Sequence, residues 1–190
     1  MAHSKNKCSR WVASFDIGYR NFAWWIESHE GYCIGWDHVD LIGHASKKVN
    51  LQEAVWSLSD YLDSKIQLWD RVDVFVIEKQ MQFGKLRNPK AIRLGHHLES
   101  YFMLRYGRLG HIEEFPAYHK TQVFMAPKMN KAQRKKWAVQ YAAQKLLERG
   151  DTSTLENLMG LKKKDDVADC FLQALAWIKL NWSKSKVAEE

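Results

Sequence analysis

The stretch at residues 162–177, KKKDDVADCFLQALAW, constrains the fold more than any other part of the chain. From Asp165 onward it reads as a helix that is apolar on nearly every face, through Val167, Ala168, Cys170, Phe171, Leu172, Ala174, Leu175, Ala176 and Trp177 to Ile178. Such a helix belongs inside a core. One polar stripe interrupts it: Asp166, Asp169 and Gln173, at i, i+3 and i+7, share a face. Carboxylates are rarely buried unless they are paired or hold a metal. Aspartates in a first helical turn also suit the helix dipole, which accounts for Asp165 and Asp166 without any site. Asp169, a full turn further in, is not covered by that explanation. A divalent cation would account for the stripe. Mg²⁺ prefers oxygen donors and takes only one or two from a single segment, so its other ligands must come from elsewhere in the chain.

Candidates lie at the ends of two expected strands. Residues 11–17, WVASFDI, alternate with period two and end in Asp16 just before the turn sequence GYRN. Residues 72–77, VDVFVI, read as a short central strand apolar on both faces, followed at once by Glu78. Each acid has a plainer reading: Asp16 as a turn cap, Glu78 as a surface residue where the strand leaves the sheet. Further strands are expected over 22–27, 32–41 and 111–116. Helices are expected over 51–68, from the Asn88-Pro89 start to Gly107, and over 129–150 with Gly150 as its stop. The order β-β-β-α-β-α-β-α-α is that of an α/β protein, a mixed five-stranded sheet flanked by helices. The 190 residues suit a single domain, with residues 1–10 a flexible basic tail.

The helix over 129–150 opens with Lys131, Arg134, Lys135 and Lys136. Positive charge at a helix N-terminus opposes the dipole, and a bound phosphate would reverse that sign; a solvated charged face is the alternative. The formal net charge of +7 agrees with an anionic partner such as nucleic acid. Hydrophobic residues make up 46%, too many for a disordered chain. Cys8, Cys33 and Cys170 fit neither a zinc pattern nor a disulfide framework, so a reducing intracellular compartment is expected. No run is long and apolar enough to suggest a membrane span or a secretory signal. His96 and His97 are adjacent, cannot share a helix face, and read as surface residues.

Three separated pieces, FDIGYRN at 15–21, VIEKQ at 76–80 and KKKDDVADCF at 162–171, together resemble the acidic motifs of RuvC-type Holliday-junction resolvases. The form is most similar to the poxvirus resolvases and the fungal mitochondrial cruciform-cutting nucleases. KAQRKKWAVQYAAQKLL at 131–147 resembles their basic helix, and the likeness runs from about residue 12 to 182 in the family's order. The resemblance implies an RNase H-like fold, a homodimer, two Mg²⁺ or Mn²⁺ ions per site, and catalytic metal-binding carboxylates at Asp16, Glu78, Asp166 and Asp169. Asp165 would then stand behind these ligands. It implies DNA contacts from Lys131, Arg134, Lys135 and Lys136, and by analogy from Lys85 and Arg87 in the loop after Gln80. The basic residue near the cut phosphate is open among Lys135, Lys136 and Lys120. The expected activity is metal-dependent cutting of four-way DNA junctions by paired nicks. Another RNase H-like nuclease acting on RNA–DNA hybrids or flaps, an inactive junction-binding protein, and a basic scaffold subunit are the alternatives.

Overall fold

The computed structural model describes residues 10–43, 50–81 and 88–182. Lys85 and Arg87 lie outside the described residues, as does nearly all of the basic N-terminal stretch. The strands are β1 (Trp11–Asp16), β2 (Phe22–Ser28), β3 (Cys33–Val39), β4 (Val74–Lys79) and β5 (His111–Pro116). The helices are α1 (Leu51–Ser64), α2 (Ile66–Trp69), α3 (Pro89–Tyr106), α4 (His119–Val123), α5 (Lys131–Glu148), α6 (Thr152–Gly160) and α7 (Lys164–Asn181). The strands form one mixed sheet in the order β3-β2-β1-β4-β5. β1, β2 and β3 make an antiparallel meander, while β4 runs parallel to both β1 and β5.

Period-two alternation sorts the strand side chains onto two cores. Trp11, Ala13 and Phe15 of β1 join Phe75 and Ile77 of β4 on one face, under α1 and α3. This face is aromatic: Phe15 packs on Phe102, 5.3 Å between ring centroids, and Phe102 stacks on Phe75 at 4.1 Å. Val12, Val74, Val76 and Phe115 point the other way, to α5, α6 and α7. Asp16 shares the parity of Val12, and Glu78 that of Val74 and Val76, so both acids belong to the α7 face.

The expected helix over 51–68 is two helices. The Leu62 carbonyl accepts the Trp69 indole N–H at 2.9 Å and the Lys65 N–H at 3.1 Å, which ends α1 and turns the chain into α2. β4 is shifted two residues later than expected, which puts Glu78 inside the strand. Two helices were not anticipated. α6 starts from Asp151, whose carboxylate accepts the Thr154 N–H at 3.1 Å. The five-residue α4 is too short to show periodicity. No helix among the described residues is long and apolar enough to cross a membrane.

Candidate active site

α7 crosses the sheet over its central strands, and two polar contacts fix where it lies. The Ser14 hydroxyl donates to the Cys170 carbonyl at 2.5 Å. The Gln173 amide donates to the carbonyls of Phe15 at 3.3 Å and Val76 at 3.2 Å, one on β1 and one on β4. Gln173 is fully buried, so its amide cannot turn to water. It thus pins α7 across the β1–β4 seam. Asp169 sits one helical turn earlier, which brings it over the carboxyl ends of the two parallel strands. In the β1–β4 register Phe15 pairs with Ile77, so Asp16 and Glu78 are the next residues on neighbouring strands. The carboxyl ends of parallel strands are where α/β sheets place their sites.

Lys120, on α4, occupies the middle of this group. Its ammonium is buried, donating to Glu78 Oε1 at 3.3 Å and lying 3.7 Å from Asp169 Oδ1. Glu78 and Asp169 are therefore no further apart than those two contacts laid end to end. Burial, and next the Glu78 carboxylate within hydrogen-bond reach, hold the Asp16 pKa well above the ordinary 3.8. Asp169 is also raised, by burial first, with Lys120 opposing and Glu78 adding to it. Desolvation works against the Lys120 charge, but Asp169, Glu78 and Asp16 outweigh it and raise its pKa.

The outer part of the group is different. Asp166 is buried, and burial and the neighbouring Asp165 raise its pKa against Lys135 and His38. Asp165 is turned towards α5, where Lys135 binds it; burial opposes that charge, but the Lys135 hydrogen bond prevails and lowers the pKa. The same ammonium is 3.9 Å from Asp166 Oδ1. Asp166 Oδ2 instead faces His38 Nε2 of β3 at 3.3 Å, and neither atom has a hydrogen-bond partner.

Of the residues marked out in the sequence, the structure thus brings together Asp16, Glu78, Asp166 and Asp169, with Asp165 beside them. Lys135 reaches this group from α5. Lys131, Arg134 and Lys136 stay exposed on the first turns of α5, behind a reciprocal cap between Asn130 and Gln133. Sequence reasoning missed His38 and gave Lys120 a minor place. His38 was visible only as the parity partner of Trp36 on β3; Lys120 lies on the helix that carries no periodic signal.

The donor chemistry, four carboxylates with three raised pKa values and one buried oxygen without a partner, fits a hard divalent cation. Among the described residues no three metal-ligating side chains already close around one point. The ammonium of Lys120 stands between Glu78 and Asp169.

A central meander with two parallel strands added, and helices on both faces, is an RNase H-like fold; acids from β1, β4 and α7 converge on one face of it. The structure is similar to the yeast mitochondrial Holliday junction resolvase Ydc2, with a TM-score of 0.59 and 16% identity, over 88% of this chain and 77% of that one. It is similar to Thermus thermophilus RuvC, with a TM-score of 0.53 and 15% identity, over 90% of this chain and 96% of that one. RuvC of the same organism in complex with a Holliday junction substrate matches with a TM-score of 0.56, 14% identity and the same coverage. By sequence the chain belongs to the family of "Uncharacterized protein 170L" of Invertebrate iridescent virus 6, 30% identical over 90% of each chain. "Uncharacterized protein 97L" of Invertebrate iridescent virus 3 is 29% identical over 86% of this chain and 98% of its own. No protein-family model matches.

Proposed function

We propose that this protein is a metal-dependent endonuclease that resolves four-way DNA junctions by paired nicks. The observation that carries the reading is the convergence of Asp16, Glu78 and Asp169 on the buried Lys120 at the carboxyl ends of β1 and β4. Nothing in the fold requires three acids and a lysine at that place, and clustered acids are costly unless a cation compensates them. Asp16, Glu78, Asp166 and Asp169 would hold two Mg²⁺ or Mn²⁺ ions. When bound, such ions supply an activated water and stabilise the leaving oxygen of a phosphodiester. The residues of this chain supply the positioning. Gln173 fixes α7 against the strands, so that the acids stay in register during turnover. Lys120 is the basic residue we assign to the cut phosphate, because its ammonium is already held among the acids. Lys131, Arg134 and Lys136 bind the DNA backbone from the open end of α5.

Resolution requires two opposed nicks on a two-fold substrate, which a closed homodimer would present in matching orientation. α3 is the face we assign to it: Met103 and Leu104 are 48% and 88% exposed, and Ile92 is half-buried. Light scattering of the unbound protein at micromolar concentration tests the dimer, and Met103→Asp should break it with the fold intact.

The activity test is incubation with an end-labelled four-way junction, with and without Mg²⁺ or Mn²⁺, and mapping of the cuts. Symmetric metal-dependent nicks on opposed strands are expected. Cutting of an RNA–DNA hybrid or a flap in preference would replace the junction by that substrate. Tight junction binding with no cut under any divalent metal would leave an inactive binding protein.

A further inference from the structure

β3 brings a residue to the acidic group that the resolvase reading does not use. Along that strand Trp36 packs into the α7 core, while Asp37 turns the other way to accept the Tyr61 hydroxyl of α1 at 2.8 Å. His38 therefore shares the parity of Trp36 and points to the α7 side. There its Nε2 meets Asp166 Oδ2 at 3.3 Å. Both atoms are shut off from solvent, and they lie at ion-pair distance without the alignment of a hydrogen bond.

We propose that His38 Nε2 and Asp166 Oδ2 ligate one transition-metal cation together, and that this nitrogen biases the site towards Mn²⁺ over Mg²⁺. The inference rests on the metal-dependent reading above and adds a side chain to it. Two donors that each lie about 2.0–2.2 Å from a cation, at tetrahedral or right angles, are ~2.8–3.6 Å apart. The observed separation falls in that interval. A shared cation gives both buried atoms a partner at once, which no single hydrogen bond between them does in this alignment. Lys135 approaches the other oxygen, Oδ1, at 3.9 Å, so Oδ2 is left to the cation. An imidazole nitrogen in an otherwise carboxylate site raises affinity for first-row transition metals, whereas Mg²⁺ prefers oxygen alone.

The test uses the full chain, freed of metal and loaded with Mn²⁺ alone. Pulsed electron paramagnetic resonance reads ¹⁴N coupling to the bound ion. The expected spectrum carries the coupling of one directly bound imidazole, and ¹⁵N-histidine labelling of the unmutated protein shifts it. In His38→Gln the coupling disappears. Calorimetry should then find Mn²⁺ affinity about tenfold weaker and Mg²⁺ affinity changed by less than about twofold. A labelled wild-type spectrum without nitrogen coupling, in protein that binds Mn²⁺ and nicks junctions, overturns the role of His38 and leaves the nuclease standing. Equal weakening for both metals in His38→Gln overturns the bias. Absence of any Mn²⁺ binding overturns the ligation together with the metal-dependent reading beneath it.

Discussion

The two lysines at the acidic group do opposite things. Lys120 is buried, and its single ammonium serves Glu78 and Asp169 with Asp16 close by. Lys135 has a side chain that is 44% exposed, and it holds Asp165 at the edge. Water screens the second pair but hardly reaches the first. The inner cation is thus part of what makes the acids tolerable in the fold, while the outer one is a replaceable contact on the route by which a phosphate would enter. The contrast separates residues that should govern cutting and stability from residues that should govern only binding.

The largest effect should come from the inner acids. Asp16→Asn, Glu78→Gln, Asp166→Asn and Asp169→Asn should each lower junction cutting by at least about 10³-fold, or ~4 kcal/mol in the barrier. Junction affinity, which the proposed function assigns to Lys and Arg, should be kept or slightly improved by the lost repulsion. Cleavage assays paired with gel-shift titrations check this. Near wild-type cutting by any one variant removes that residue from the site.

Stability should divide the two lysines next. Lys120→Met leaves buried acids without their cation and should cost about 3 kcal/mol at pH 8. Lys135→Met should cost less than about 1 kcal/mol. Urea titrations of the metal-free proteins measure both, and similar losses would erase the distinction. The pH dependence carries the same information. Asp16, Asp166 and Asp169 all have pKa values raised in the folded state. Folding therefore takes up protons. The stability they contribute is complete below the ordinary aspartate value of 3.8 and is lost as pH rises through the raised values. Asp165, with its lowered pKa, has the opposite sign and loses its contribution as pH falls. With three acids against one, metal-free protein should weaken as pH climbs above the ordinary aspartate value, and divalent metal should flatten that fall.

Much of this division was legible before any coordinates. The α7 stripe, Asp16 and Glu78 follow from periodicity and strand ends, because both are local patterns and the sheet parity carries them to one face. Gln173 was placed in the stripe, but its function as the pin across β1 and β4 depends on carbonyls 158 and 97 residues away. Lys120 and His38 were obscure for a related reason. One is on a five-residue helix and the other on a meander strand, and neither lies near the clustered acids in sequence. Only tertiary packing sets them among the acids. The break between α1 and α2 likewise depends on where the Trp69 indole finds its acceptor.

The adjacent pair Asp165 and Asp166 is a finer probe. Both sit in the first turn of α7, yet one faces Lys135 and the other faces inward to His38. Asp165→Asn should reduce cutting no more than about fivefold, since only a half-exposed ion pair is weakened. If Asp165→Asn is dead while Asp166→Asn cuts, the roles of the two neighbours are exchanged, and the inner group begins one residue earlier.

The smallest effects belong to the exposed end of α5. Lys131, Arg134 and Lys136 are solvent-exposed there, and no acid is within ion-pair distance of them among the described contacts. Each gains something only when a phosphate arrives. Lys131→Ala, Arg134→Ala and Lys136→Ala should each weaken junction binding a few-fold and make the plot of log affinity against log salt shallower by about one. The turnover of bound junction should not change. Lys135→Ala should behave differently, because breaking its pair with Asp165 offsets part of the lost phosphate contact. Its salt slope should therefore fall by less than that of the other three. Fluorescence anisotropy titrations from low to moderate salt give all four slopes on one substrate. If Lys135→Ala lowers the slope as much as Lys131→Ala does, its ammonium is free for DNA in solution, and the outer contact is no part of the acidic group.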